Sequence, residues 1–184
     1  MKKALVITGI VIAVLVVGIV GAGLFMMNQT KKYSPLDTAA FKDSTRNIEV
    51  VYCRPFKKDR EIFGDLVPYN EVWRTGANEP TTFETSVDLN IQGKTLPAGK
   101  YSLWSIPGEG EWQIIFNNEI PGWGVDLSGK AQRNPETDQL VVSASSWQND
   151  KVIEQFTITF DKMDNEIDMI IMWENTTVVM PISL

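Results

Sequence analysis

The chain has 184 residues, no histidine, one cysteine and a formal net charge of −6. These counts rule out Ser-His-Asp and Cys-His catalysis, histidine-ligated metals, a thiolate metal cage and any internal disulfide. All 23 Asp and Glu lie beyond residue 33 with only 13 of the 17 Lys and Arg, which leaves that part at −10 and disfavours nucleic acid and anionic lipid as its partners.

Residues 4–30 carry no charge, and Ala4 to Met27 are apolar but for Thr8. About 20 apolar residues at 1.5 Å each cross a bilayer. Lys2-Lys3 precede the run and Lys31-Lys32 follow it. Val20-Gly21-Ala22 could serve as a signal cleavage site. The apolar run continues past it to Met27, so a retained anchor over residues 1–28 is expected, with the lipid bilayer as its partner. Lys and Arg flank both ends, and charge alone does not orient the domain. Gly9/Ala13 and Gly18/Ala22 are small-residue pairs on opposite helix faces and form no continuous seam.

Residues 29–46 are polar with one proline and read as a tether, with a short helix possible at Ser34 to Lys42. Period-2 alternation then takes over. It marks strands at Asn47–Cys53, Thr81–Leu89, Lys100–Ile106, Glu111–Asn117, Leu140–Ser145, Ile153–Phe160, Ile167–Trp173 and Thr177–Ile182. Turn signals separate them, among them Gln92-Gly93-Lys94 and Pro107-Gly108-Glu109-Gly110. Eight or nine short strands without intervening helices predict an all-β domain over residues 47–184. The expected form is an antiparallel β-sandwich, Ig-like or jelly-roll-like; a small barrel is the alternative. Cys53, between Tyr52 and Arg54, reads as a buried, inert thiol.

Three motifs look like chemistry. Gly124 to Lys130 matches G-x-x-x-x-G-K, but Ala131 stands where a phosphate loop needs Ser or Thr, and Gln-Arg-Asn-Pro follows instead of a helix. It reads as a plain loop. Asp161, Asp164, Glu166 and Asp168 lack calcium-loop spacing and read as a solvated turn. The stretch Val67 to Thr82 is the most unusual. It combines Tyr69, Trp73, Arg74, Asn78 and Glu79, residue types that suit ligand recognition. The competing reading is a structural loop, pinned by Arg74 bonds to backbone carbonyls and plugged into the core by Trp73. Glu71 and Glu79 are the first choices if two carboxylates work as a hydrolase.

Here the sequence resembles a known family. The segments are YCRP (52–55), KDREIFG (58–64), GDLVPYNEVWRTGANE (64–79), GKTLPAGKYSLWSIPG (93–108), EWQIIFN (111–117), Trp123-Gly124, FTITF (156–160) and WENTTVVMPI (173–182). Together they resemble a bacterial domain-of-unknown-function family, DUF2911, from Ser34 to the end. The resemblance implies an exported β-sandwich and no particular activity. Asn70 stands where the family pattern has Gly and Cys53 where it has Ser, and Val125 to Gln139 lacks a tyrosine-rich loop.

The sequence therefore leads to an anchored, extracytoplasmic binding or assembly module on the periplasmic side, an accessory subunit alongside other membrane or envelope proteins. Glycan binding and carboxylate hydrolysis are the alternatives, and neither a cofactor nor a metal is expected. The residues expected to carry binding are Arg54, Tyr69, Trp73, Arg74, Asn78 and Glu79.

Overall fold

A computed structural model describes residues 2–183 as two units, Met1–Tyr33 and Ser34–Leu184, apart from the two terminal residues. The first unit is one helix, α1 (Lys2–Tyr33). Its stretch Ile7–Tyr33 is long and apolar enough to cross a membrane, with a mean hydropathy of 2.8, a property it shares with signal sequences. Lys31 and Lys32 occupy the last turn, where cations complement the helix dipole.

The second unit is all-β and antiparallel. It has β1 (Leu36–Lys42), β2 (Asn47–Cys53), β3 (Thr82–Thr85), β4 (Leu89–Ile91), β5 (Lys94–Leu96), β6 (Gly99–Ile106), β7 (Glu111–Asn117), β8 (Asp138–Lys162) and β9 (Glu166–Ser183). They form an open sheet in the order β1-β2-β3-β6-β7-β8-β9-β4-β5. The sheet folds over to make a sandwich-like body, because β8 changes partners along its length. Its first part pairs with β7 as far as Ser145, and from there to Lys162 it pairs with β9. Tyr52 on β2 ties the layers together: its hydroxyl donates to the Ile158 carbonyl on β8 and accepts from the Ile158 amide.

Two sequence readings need correction. The expected tether is structured: α1 runs on to Tyr33, and Leu36–Lys42 is a strand paired along all of β2. Only Ala39 of β1 is buried, so its alternation carries almost no apolar signal. Register comes from the ladder and from the Arg54 amide, which donates to the Pro35 carbonyl at 2.8 Å. The expected strand Thr81–Leu89 is divided at Ser86 to Asp88, where the Thr85 hydroxyl donates to the Val87 carbonyl and the Asp88 carboxylate accepts from the Ala98 amide. The chain then crosses to β9 and makes the hairpin β4–β5. Gln92 and Gly93 turn that hairpin at φ 54° and 75°, the two-residue geometry that matches strand twist.

Alternation builds the core. Ile48, Val50 and Tyr52 point inward, as do Phe83, Tyr101, Leu103, Trp112, Ile114 and Phe116. Phe63, Trp73, Trp112, Phe156 and Trp173 form an aromatic centre of mostly edge-to-face contacts, and Trp73 stacks on Trp173 at 6.1 Å and 14°. Full burial of one such ring contributes about 1.5–3 kcal/mol. With no disulfide, this packing carries the domain.

Candidate functional site

The same alternation that sends Tyr52 inward sends Cys53 to the opposite face of the sheet. Thr82, Ser102, Trp104, Ile115 and Asn117 join it there through the registers of β2, β3, β6 and β7. This second face is not left to water. Trp104 is fully buried, and Ile115 and Cys53 nearly so, because residues 118–134 cover them.

Polar side chains fasten the cover. Trp104 Nε1 donates to Ser102 Oγ at 2.8 Å, and Ser102 Oγ donates to the Glu119 carbonyl at 2.6 Å. Asn117 donates to the Asn134 carbonyl and to Asp138, and accepts from the Glu119 amide and the Thr137 hydroxyl. Arg133 pairs with Asp138. The G-x-x-x-x-G-K stretch is part of this cover and is closed on itself. The Asp126 carboxylate accepts from the Ser128 amide and hydroxyl and from the Lys130 amide, and these bonds hold its pKa below the ordinary carboxylate value. The loop's Ser128 and Lys130 amides are thus taken by its own carboxylate.

The loop after Val72 supplies the facing wall. Trp73 makes a two-bond antiparallel bridge with Ser105, at 2.8 and 2.9 Å. One step along that register Arg74 falls opposite Trp104. Thr75, Gly76 and Asn78 take positive φ values of 53°, 150° and 59°. A Cβ on Gly76 would approach the Cys53 carbonyl to 3.0 Å, so a glycine is required there. The strained turn is held by Thr81 Oγ1 donating to the Thr75 carbonyl at 2.6 Å and by Thr75 Oγ1 donating to Ser105 Oγ at 2.9 Å.

Cover and loop leave a pocket of about 320 Å³ at the end of β2, lined by Leu36, Val51, Cys53, Glu79, Ile120 and Pro121 among others. That volume suits a small ligand. Its wall is mainly apolar. Cys53 Sγ donates toward Glu79 Oε2 at 3.6 Å.

The expected site residues separate. Glu79 lines the pocket and Arg74 lies beside it, within electrostatic reach of Cys53. Arg54 points away. It ion-pairs with Asp37 at 2.7 Å and donates to the Phe156 carbonyl at 3.0 Å and to Thr157 at 2.9 Å, tying β1, β2 and β8 together. Trp73 is a core residue with its Nε1 on the Gly76 carbonyl, so it offers no face to a ligand. Asn78 is buried and donates to the Ser34 carbonyl at 3.4 Å. Tyr69 is half-buried against the core beside Gly64, where burial pushes its phenol above the ordinary value. Trp73 plugs the core, as the structural reading of the loop has it, while among the described residues Arg74 Nε has no partner. Leu36, Ile120 and Pro121 escaped the sequence reading, because only the folded cover brings them to the pocket. Glu71 is exposed and is not among the pocket residues, which include one carboxylate, Glu79. Among the described residues no group of three acids or cysteines is arranged to hold a metal.

A family model described as "Protein of unknown function (DUF2911)" matches residues 34–182. No curated protein and no solved structure matches the chain.

Proposed function

The chain belongs to the DUF2911 family, and from that premise we propose that it is a membrane-held binding module whose sandwich lies outside the cytoplasm and serves as an accessory subunit of an envelope assembly. One observation carries the reading: the outer face of β2, β3, β6 and β7 is roofed by residues 118–134, and the roof leaves a largely apolar pocket beside Glu79. Cys53, nearly buried beneath that roof, lines the pocket together with Glu79. The uncharged helix supports placement at a membrane. Burial of Trp73 speaks against sugar stacking in the loop, and a single pocket carboxylate speaks against two-acid hydrolysis.

Photo-crosslinking tests this on the full chain in its native membranes. A benzophenone amino acid replaces Ile120, at the pocket, or Met163, at the β8–β9 turn. Discrete adducts from Ile120 and none from Met163 are expected, read by intact mass so that a small ligand and a protein are both detected. The same adducts from both positions, or none from Ile120, would overturn the reading.

A further inference from the structure

Arg74 is a half-buried cation. Burial pulls its pKa below the ordinary arginine value, with the neighbouring Cys53 acting in the opposite direction. Its Nε is buried and has no hydrogen-bond partner. Among the described residues nothing gives its guanidinium a hydrogen bond or an ion pair. The contrast with Arg54, which fills all three of its nitrogens, is internal to the same protein.

A buried donor ordinarily has a partner, because desolvation without compensation is expensive, and Arg74 Nε is one that has none. Arg74 is not needed to brace its loop, which Trp73, Thr75, Asn78 and Thr81 already hold. Its stem is nevertheless fixed: a Cβ on Gly124 would come within 2.2 Å of Arg74 Cδ, so the glycine is shaped around it. A directed stem with an unpaired fork is what an oxyanion receptor needs, since the guanidinium matches two oxygens of a carboxylate or phosphate. Cys53 and Gly122 line the pocket, while Cys53 and Gly124 adjoin Arg74, so the two features are contiguous. Glu79 stands on the pocket wall, with Cys53 Sγ donating toward it.

We propose that Arg74 is the anion-binding residue of this site and takes the carboxylate or phosphate of a ligand whose apolar part occupies the pocket. The assignment rests on the binding-module reading and names the ligand's chemical class. The test is thermal unfolding of the full chain in non-ionic detergent, followed by tryptophan fluorescence, with inorganic phosphate, acetate or benzoate as the probe. A saturable rise in Tm is expected in the natural chain. Benzoate exceeding acetate identifies a carboxylate with an apolar body; phosphate exceeding both identifies a phosphate. Arg74→Met should match or exceed the natural Tm without anion and bind the probe at least about tenfold more weakly. Arg74→Lys keeps the charge without the fork and should fall between the two. No saturable response to any probe, or an equal response in Arg74→Met or Arg74→Lys, overturns the assignment. Adducts at Ile120 without an anion response would sink Arg74 alone; their absence would sink the module reading itself.

Discussion

Two arginines meet opposite fates, and the difference is set by what lies within reach of each fork. Arg54 follows β2 beside Asp37, Phe156 and Thr157 and is bonded throughout. Its Asp37 partner is 43% exposed, so solvent screens the ion pair, and the bond to the Phe156 carbonyl matters more. Arg54→Ala should cost on the order of 2 kcal/mol in chemical denaturation. Lysine should not restore it, because one ammonium cannot span three acceptors. Trp73→Ala removes the centre of the aromatic cluster and should cost about 3–5 kcal/mol. A Trp73→Ala protein of full stability that failed only in binding would mean that the ring faces a ligand after all. Both residues entered the sequence reading as binding candidates for the same reason. A motif shows which side chains are unusual, whereas burial decides whether they face inward or outward.

At the scale of elements, alternation was readable wherever one face buries large residues. Glu111–Asn117, with Trp112, Ile114 and Phe116 inward, was found at its observed bounds. Strand β1 was missed because alanine is the only buried side chain on it. Strands β8 and β9 were each read as two, because bulges between Gln148 and Thr157 break the period while the ladder continues. The pocket was half legible: Arg74 and Glu79 stand out by composition, but Ile120 and Pro121 gain meaning only when the cover folds onto β6 and β7. The acidic turn between β8 and β9 is solvated, as its spacing suggested, yet it places Asp161 directly opposite Asp168. Burial, and then the charge of Asp161, raise the Asp168 pKa above the ordinary carboxylate value. The folded state therefore holds this proton at pH values where the unfolded chain has released it. Stability attached to that proton is present below about pH 4 and is lost as pH rises through the raised folded value. Asp168→Asn should raise Tm at neutral pH, by about 0.5 kcal/mol of stability, and the gain should vanish in acid. A gain that is equal at both pH values would remove the like-charge explanation.

For the whole molecule, the two units make separate demands. With one cysteine the sandwich has no internal disulfide, so its folding sets no redox requirement on where it resides. What bears on location is α1. The uncharged run outlasts the small-residue site Val20-Gly21-Ala22 by several apolar residues, a length that crosses a membrane and also fits a signal sequence. Lysines at both flanks weaken any orientation drawn from charge. In a bacterial host the full chain should stay in the membrane pellet through an alkaline carbonate wash and keep its intact mass of 20.7 kDa. A reporter fused after Leu184 that works only outside the cytoplasm should be active. A shortened, soluble product would identify α1 as a signal sequence, and a silent reporter on an intact anchor would place the domain inside. Only the second result would take the pocket out of the envelope, because a site built around an unpaired arginine can meet only the anions present on its own side of the membrane.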